Sequence, residues 1–291
     1  MSIHKILVTG ANGQLGWELA QAAVLFPKFE FVFVDRNAMD LSKPNELKGI
    51  VELFAPDAII NTAAYTAVDK AESERELAHT INAEAVVELA RITKQKNIPF
   101  ITYSTDYVFS GNATSPYLPD TKREPVNFYG TTKAQGEQMA LAENPNTIII
   151  RTSWVFSSHG NNFVKTMMRL MKDRDSLNIV GDQKGRPTYA KDLAIATIHL
   201  LETINAGKDI KGIYHYANTG ETTWYEFAAK IKSLAGLTCD LTAITSDQFP
   251  TSAKRPFYSV LDTQKIEQDL GISIPHWETA LQQCIDKLTN D

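Results

Sequence analysis

Short apolar runs alternate with longer amphipathic segments through the first half of the chain. Lys5–Thr9 (KILVT), Phe29–Val34 (FEFVFV), Ala58–Asn61, Phe100–Tyr103 and Thr147–Thr152 (TIIIRT) are too short for buried helices and rich in β-branched or aromatic residues, so they are expected as strands. Between them the pattern predicts helices around Leu15–Leu25, Pro44–Phe54, Asp69–Gln95 and Thr132–Glu143. This alternation implies βαβ units and a parallel sheet covered on both faces, because parallel strands buried on both sides read as continuous apolar runs. Right-handed crossovers then favour a doubly wound sheet.

After about Ser157 the pattern changes. Helices are expected at Asn162–Lys172, Asp192–Glu202 and Trp277–Leu288, and strands at Leu177–Val180 and Gly212–Ala217. Asp182–Thr188 (DQKGRPT) reads as a turn-rich loop, and Thr223-Trp224-Tyr225-Glu226 fits a capping box opening a helix through Leu234. No repeat, low-complexity tract or linker separates the halves. The expected fold class is α/β: a Rossmann-type doubly wound parallel sheet with a smaller, interleaved C-terminal α/β substrate domain. Residues 1–156 form the dinucleotide-binding domain, completed by parts of 176–205, and 157–291 form mainly the substrate domain.

The 291 residues are ample for a large core, and 43% hydrophobic with 22% charged is ordinary globular composition. A net charge of -5 gives no basic footprint for nucleic acid. No apolar run approaches the ~20 residues of a membrane span, and His4 and Lys5 interrupt the N-terminal apolar stretch. The two cysteines, Cys239 and Cys284, lack metal-ligand spacing and read as free thiols in a reducing compartment. The expectation is a cytoplasmic protein with a small-molecule substrate, no nucleic-acid partner and no membrane.

Gly10-Ala11-Asn12-Gly13-Gln14-Leu15-Gly16 follows the first strand and opens a helix. Glycines there permit a tight turn and close approach of backbone to a pyrophosphate, which the helix N-terminus attracts. The spacing is G-x-x-G-x-x-G. Asp35 ends the second strand 19 residues beyond Gly16, where a carboxylate binds the adenosine ribose. Arg36 follows and suits a 2′-phosphate, so NADH and NADPH both stay open. Asp40 and Leu41 lie where a loop flanks adenine, and Ala63, Ala64, Tyr65 and Thr66 follow the third strand at the carboxyl edge, where ligands bind such sheets.

Tyr129 and Lys133 are four residues apart, on one face of a helix, with Thr105 24 residues before the Tyr. A cation favours phenolate, so Lys133 is expected to lower the Tyr129 pKa from ~10. Tyr129 then serves as general acid toward a carbonyl oxygen, Lys133 also binds the nicotinamide ribose, and Thr105 holds the substrate oxygen or tunes the phenol.

The segments VTGANGQLGWEL (8–19), NTAAYTAVDKAESE (61–74), YSTDYVFSG (103–111), NFYGTTKAQGE (127–137), RTSWVFSSHGNNFVKTM (151–167) and DQKGRPTYAKDLA (182–194) carry a resemblance, which SAKRPFYSVLDTQKI (252–266) extends. The chain resembles the extended short-chain dehydrogenase/reductases, and within them the dTDP-4-dehydrorhamnose reductase family. The resemblance implies NAD(P)H-dependent reduction of the C4 keto group of dTDP-4-dehydro-L-rhamnose, the last step of dTDP-rhamnose synthesis. It carries catalytic roles onto Thr105, Tyr129 and Lys133, and cofactor contacts onto the residues named above, Gln14 and Leu15 among them. Substrate contacts fall on Thr105, Asp106 and Trp154, with Asn162, Arg186 and Arg255 as further contacts. It also implies a homodimer with a divalent ion such as Mg2+ at the interface, near Glu18. Lys191 beside Asp192 stands where a Glu is wanted and speaks against the ion, so no metal ligands are assigned.

Three rivals differ in testable ways. Nucleotide-sugar dehydratases of this superfamily carry Thr-Asp-Glu where this chain has Thr105-Asp106-Tyr107, so the elimination base is missing here. An epimerase would show turnover without net NADH consumption. A non-catalytic NAD(P)-binding regulatory subunit, as in methionine adenosyltransferase, would not need the full Thr105, Tyr129, Lys133 set.

Overall fold

The computed structural model describes residues 3–290. The first half runs β1 (Lys5–Thr9), α1 (Gln14–Ala23), β2 (Glu30–Val34), α2 (Leu47–Phe54), β3 (Ala58–Asn61), α3 (Arg75–His79), α4 (Ala85–Lys96), β4 (Phe100–Thr105), α5 (Phe128–Glu143) and β5 (Ile148–Thr152). It continues through β6 (Val155–Phe156), α6 (Phe163–Asp173), β7 (Ser176–Val180), β8 (Lys184–Gly185), β9 (Thr188–Tyr189), α7 (Ala190–Asn205) and β10 (Gly212–His215). The chain closes with β11 (Thr222–Thr223), α8 (Trp224–Leu234), β12 (Asp240–Ile244), α9 (Gln264–Leu270) and α10 (Trp277–Asn290).

Six parallel strands form the main sheet in the order β2-β1-β3-β4-β5-β10. Side chains alternate between its faces, as the period of two requires. Ile6, Val8, Ile60, Ile148 and Ile150 pack with Leu19 of α1 and Leu193, Leu200 and Leu201 of α7. Leu7, Ile59 and Phe100 pack on the opposite face with Val51 of α2, Leu89 of α4 and Ala140 of α5. The chain steps from β1 outward to β2 and then back past β1 to β3. The β1/β3 gap is therefore the switch point, the place where a doubly wound sheet opens a crevice at its carboxyl edge.

A second core lies beyond the sheet, where Phe156, Met167, Ile179, Phe227, Trp277 and Leu281 meet. Of the segment 176–205, α7 packs on the main sheet, whereas β7 pairs in parallel with β12 in this second unit. The main sheet also takes β10 from residues 212–215, beyond that segment. The chain thus crosses between the units several times, and the halves interleave. The α8 capping box forms as expected, with Thr223 and Glu226 exchanging side-chain bonds to backbone.

Two helical expectations change. Asp69–Gln95 is not one helix: a 3₁₀ turn (Lys70–Glu72), α3, a π-turn (Thr80–Glu84) and α4 follow one another. The π-turn is set by tertiary contact. Asn82, fully buried within it, donates to Thr132 of α5 (3.1 Å) and brackets the Tyr65 backbone, accepting from its N–H (2.9 Å) and donating to its C=O (3.0 Å). Helix α5 starts at Phe128, ahead of the expected Thr132, because Asn127 caps it by accepting from the Gly130 N–H (2.8 Å).

Helix α5 approaches the π-turn so closely that a Cβ at Gly136 would sit 2.1 Å from the Asn82 carbonyl oxygen. Gly136→Ala gains up to about 1 kcal/mol of helix propensity but forces backbone apart, an overpacking cost of about 1–3 kcal/mol. The net expectation is a melting temperature several degrees below wild type in a thermal scan. An unchanged or raised value would show that the contact is loose.

Candidate active site

The site gathers at the carboxyl edge of the sheet. A ladder of buried side chains ties β1, β3 and β4 together: Thr9 donates to Asn61 (2.6 Å), and Asn61 donates to Thr102 (3.1 Å). These bonds satisfy polar groups buried at the switch point and fix the spacing of the loops that leave it.

The glycine turn occupies one side. Gly13 closes on the Gly10 carbonyl (2.9 Å), no side chain caps α1, and its first turn carries no acidic residue. A Cβ at Gly16 would stand 2.3 Å from the Gly10 oxygen, so only glycine lets the helix lie on the turn. A helix N-terminus left open in this way suits the diphosphate of a dinucleotide. Asp35 accepts from the Asn37 and Ala38 N–H groups (2.9 and 3.2 Å) and from Asn12 (3.3 Å), and these bonds hold its carboxyl below the usual range. Arg36 pairs with Asp40 (3.3 Å) on the rim, while Leu41 is buried in the core. Across the crevice, Ala63, Ala64 and Tyr65 are partly buried and Thr66 is exposed. Asn82 grips the Tyr65 backbone, and the Tyr65 hydroxyl donates to Glu74 (2.8 Å).

Thr105, Asp106, Tyr129 and Lys133 lie together at the end of β4 and the start of α5, all buried. The Thr105 hydroxyl donates to Asp106 Oδ1 (2.9 Å), accepts from the Tyr107 N–H (3.2 Å) and lies beside the Tyr129 phenol. Tyr107 packs edge-on against Tyr129, with ring centroids 5.8 Å apart. Burial, then the Asp106 carboxylate, push the Tyr129 pKa above its usual value; Thr105 opposes this. The lowering of Tyr129 expected from Lys133 is outweighed: the Lys133 ammonium donates to the Tyr103 carbonyl (2.7 Å), and burial dominates the phenol. Lys133 itself is pushed down to about 8 by burial, against the pull of Glu137. The phenol thus stays protonated while its neighbouring cation loses its proton at about pH 8.

Asp106 is pushed up to about 6 by burial, although Thr105 and Ser259 lie against it. Its Oδ2 is buried without a partner, a polar atom aimed at nothing the protein supplies. Trp154 holds φ at +48°, a strained conformation for a large side chain, and stacks on Trp224 at 3.6 Å and 10°. Arg255 pairs with Asp69 (2.5 Å) and faces the Tyr107 ring, and Arg186 donates to the Leu261 carbonyl (2.9 Å). Each keeps one buried N–H without a partner, Arg255 Nη1 and Arg186 Nε. Asn162 is placed differently from Thr105 and Tyr129: it caps α6 and donates to Gln14 (3.0 Å) and the Ser157 carbonyl (2.7 Å), tying α6 to the glycine turn.

A family model described as the RmlD substrate binding domain matches residues 4–290. A dTDP-4-dehydrorhamnose reductase of Burkholderia thailandensis is 40% identical over 296 residues, covering 98% of this chain and 99% of the relative. The chain belongs to the dTDP-4-dehydrorhamnose reductase family. Two solved structures bearing that family's name superpose closely. The one from Clostridium acetobutylicum has a TM-score of 0.92 at 38% identity, covering 98% of this chain and 99% of its own. The one from Bacillus anthracis, in complex with NADP, has a TM-score of 0.91 at 35% identity, covering 99% and 100%.

The divalent ion implied for the family does not fit the residues present. Glu18 is buried and accepts from Ser157 (2.6 Å), Asp192 accepts from Asn218 (2.7 Å), and Lys191 and Lys287 supply the opposing charge around Glu18. Among the described residues no helix is long and apolar enough to cross a membrane. Reading the chain missed Asn82, Trp224 and Ser259. Asn82 hid inside a helical pattern, and the others lie far along the chain from the residues they support.

The raised Asp106 pKa has a sign that stability can check. The folded protein favours the neutral carboxyl, so its contribution is full below 3.8 and lost as pH rises through about 6. That rise corresponds to roughly 3 kcal/mol between the two protonation states. Asp106→Asn mimics the neutral form at every pH. It is expected to raise the melting temperature at pH 8 and leave it nearly unchanged at pH 4. Equal destabilisation at both values would remove burial as the cause of the shift.

Proposed function

We propose that the protein reduces the C4 keto group of dTDP-4-dehydro-L-rhamnose to dTDP-L-rhamnose, with NAD(P)H as donor. The observation that carries this reading is the joint burial of Thr105, Tyr129 and Lys133 beside the glycine crevice, in a chain of this family. The nicotinamide cofactor, held at Gly10–Gly16, Asp35 and the Ala63–Thr66 loop, supplies the hydride when bound. The rest falls to the chain's own residues. Thr105 and the Tyr129 phenol converge on the substrate's carbonyl oxygen. Tyr129 gives its proton to that oxygen as it gains charge, and solvent restores the proton afterwards. Because burial keeps Tyr129 protonated, it is an acid that yields its proton only to a strongly basic oxygen, which is what hydride addition creates. Lys133, charged below about pH 8, offsets the phenolate left behind.

Trp154, stacked on Trp224, presents an apolar face suited to the deoxysugar ring, and the free N–H groups of Arg186 and Arg255 suit the diphosphate. Tyr107 at the position of a dehydratase's Glu argues for reduction over elimination. The free thiols Cys239 and Cys284, both buried, suit a reducing cytoplasm.

The assay is loss of NADH or NADPH absorbance with dTDP-4-dehydro-L-rhamnose; stoichiometric consumption supports the reductase, and turnover without net loss supports an epimerase. Tyr129→Phe should keep cofactor affinity and lower kcat by about 10²–10⁴. Wild-type turnover by that variant would displace Tyr129 as the acid. Activity should also fall as pH rises through about 8, where Lys133 loses its proton.

A further inference from the structure

Behind the Tyr129–Lys133 pair lies a buried ionic network that the reduction chemistry does not itself require. Tyr129, Lys133 and Glu137 follow one another at four-residue intervals along α5, so all three share one helix face. Glu137 is almost wholly inaccessible, at 3% exposure. Arg151 of β5, itself fully buried, grips it with two bonds, Nε to Oε1 at 2.8 Å and Nη2 to Oε2 at 2.7 Å. Arg123, half-buried in the loop before α5, adds a third at 2.6 Å. Arg151 is fixed in turn by the Pro119 carbonyl (3.0 Å) and by His215 of β10 (3.2 Å), and its guanidinium lies over Phe109.

A buried carboxylate paired with one buried cation and one half-buried cation is an expensive arrangement if its only use is stability, since an apolar cluster of the same volume holds a helix as well. Its position supplies a use. Lys133 is buried, and its ammonium has one hydrogen-bond partner, the Tyr103 carbonyl of β4. The nearest anion on its own helix is Glu137, about 6 Å away between Cβ atoms by helix geometry.

We propose that Glu137 is a positioning residue for the reductase reaction: clamped by Arg151 and Arg123, it sets the pitch of α5 against the sheet and holds the Lys133 ammonium in its charged form. This rests on the reading of Tyr129 and Lys133 given above. The charged and titratable groups around the pair are few. Arg151 comes from β5, Arg123 from the loop before α5, and His215 from β10, where burial and Arg151 keep it neutral down to about pH 3. Asp106, beyond β4, faces Tyr129 and titrates near 6, well separated from the alkaline side. Burial lowers the Lys133 pKa and Glu137 is the group that opposes it. The two arginines weaken Glu137's effect, so removing the anion and removing a cation must act in opposite directions.

The test is the pH profile of kcat with NADPH and the keto sugar, for wild type, Glu137→Gln, Glu137→Asp and Arg123→Gln, with the melting temperature of each recorded. Glu137→Gln should move the alkaline midpoint down by about one pH unit, a tenfold loss of rate on the alkaline side, with a much smaller loss near pH 6.5. Glu137→Asp retains the charge and should keep the wild-type midpoint even where it is less stable. Arg123→Gln, whose side chain reaches solvent, should move the midpoint up. If Glu137→Gln does not fold, the Arg123 and Asp variants still decide the matter. A Glu137→Gln profile scaled down equally at all pH, or an Arg123→Gln midpoint shifted downward, overturns the proposal and leaves a purely structural network. Failure of wild type to oxidise NADPH with the keto sugar would instead overturn the reading of the reaction, and so is told apart from failure of this one.

Discussion

The structure depends on one close approach: helix α5 lying in backbone contact with two neighbours. A Cβ at Gly130 would stand 2.1 Å from the Tyr107 carbonyl, and one at Gly136 would stand equally close to that of Asn82. Two glycines six residues apart therefore let the helix settle onto the 3₁₀ turn after β4 and the π-turn before α4. This contact brings the site residues on α5 up to the carboxyl edge. With a side chain at either position the helix would ride outward, and Tyr129 would leave the carboxyl edge where Thr105 ends its strand. The π-turn is the partner feature. The bulge frees Asn82 to bond across to Thr132 and to the Tyr65 backbone, so one side chain joins the loop after β3 to the helix that carries Tyr129.

The same burial that fixes geometry sets the charges. Asp106, Tyr129 and Lys133 are all removed from water, and each shifts toward its neutral form, the acids upward and the amine downward. No salt bridge joins the phenol to the ammonium in this arrangement. The local groups that oppose these shifts are Thr105 beside Tyr129 and Glu137 on the Lys133 face. Desolvation is the larger effect at both Tyr129 and Lys133, and the local partners trim it. That ordering explains why the Tyr–Lys spacing alone describes the chemistry incompletely.

Much of this was legible in the chain, and the reason is physical. Parallel strands buried on both faces leave apolar runs such as KILVT and TIIIRT, and glycines cluster where a helix must lie on a turn, as at Gly16. The Tyr–Lys spacing reads directly because a helix face repeats every four residues. What escaped depends on contacts between distant segments. The π-turn at Thr80–Glu84 cannot be seen in a pattern that is helical on either side of it, since Asn82 bonds to residues 17 behind and 50 ahead. The order β2-β1-β3 leaves no mark in connection lengths. The short strands β6, β8, β9 and β11 have two residues each, below the length at which alternation carries information. Glu137 did leave a signal, a third member of the Tyr129–Lys133 face, but an acidic residue on a helix reads by default as solvated.

The second unit contributes through a strained residue. Trp154 lies between β5 and β6, and its left-handed backbone costs about 1 kcal/mol or more relative to an ordinary conformation. Stacking on Trp224 returns a similar amount, about 0.5–1.5 kcal/mol beyond the area buried. The turn and the stack are therefore balanced, and neither fixes the ring alone. Gly185 of β8 completes the seat: a Cβ there would meet the indole at 2.6 Å. Because β8 pairs with β11, and α8 with Trp224 follows β11 at once, the indole's orientation is tied to the packing of the second unit on the first. The Trp154 side of the site is thus built by the same interleaving that carries β10 back into the main sheet, so the placement of this ring depends on how the two units pack.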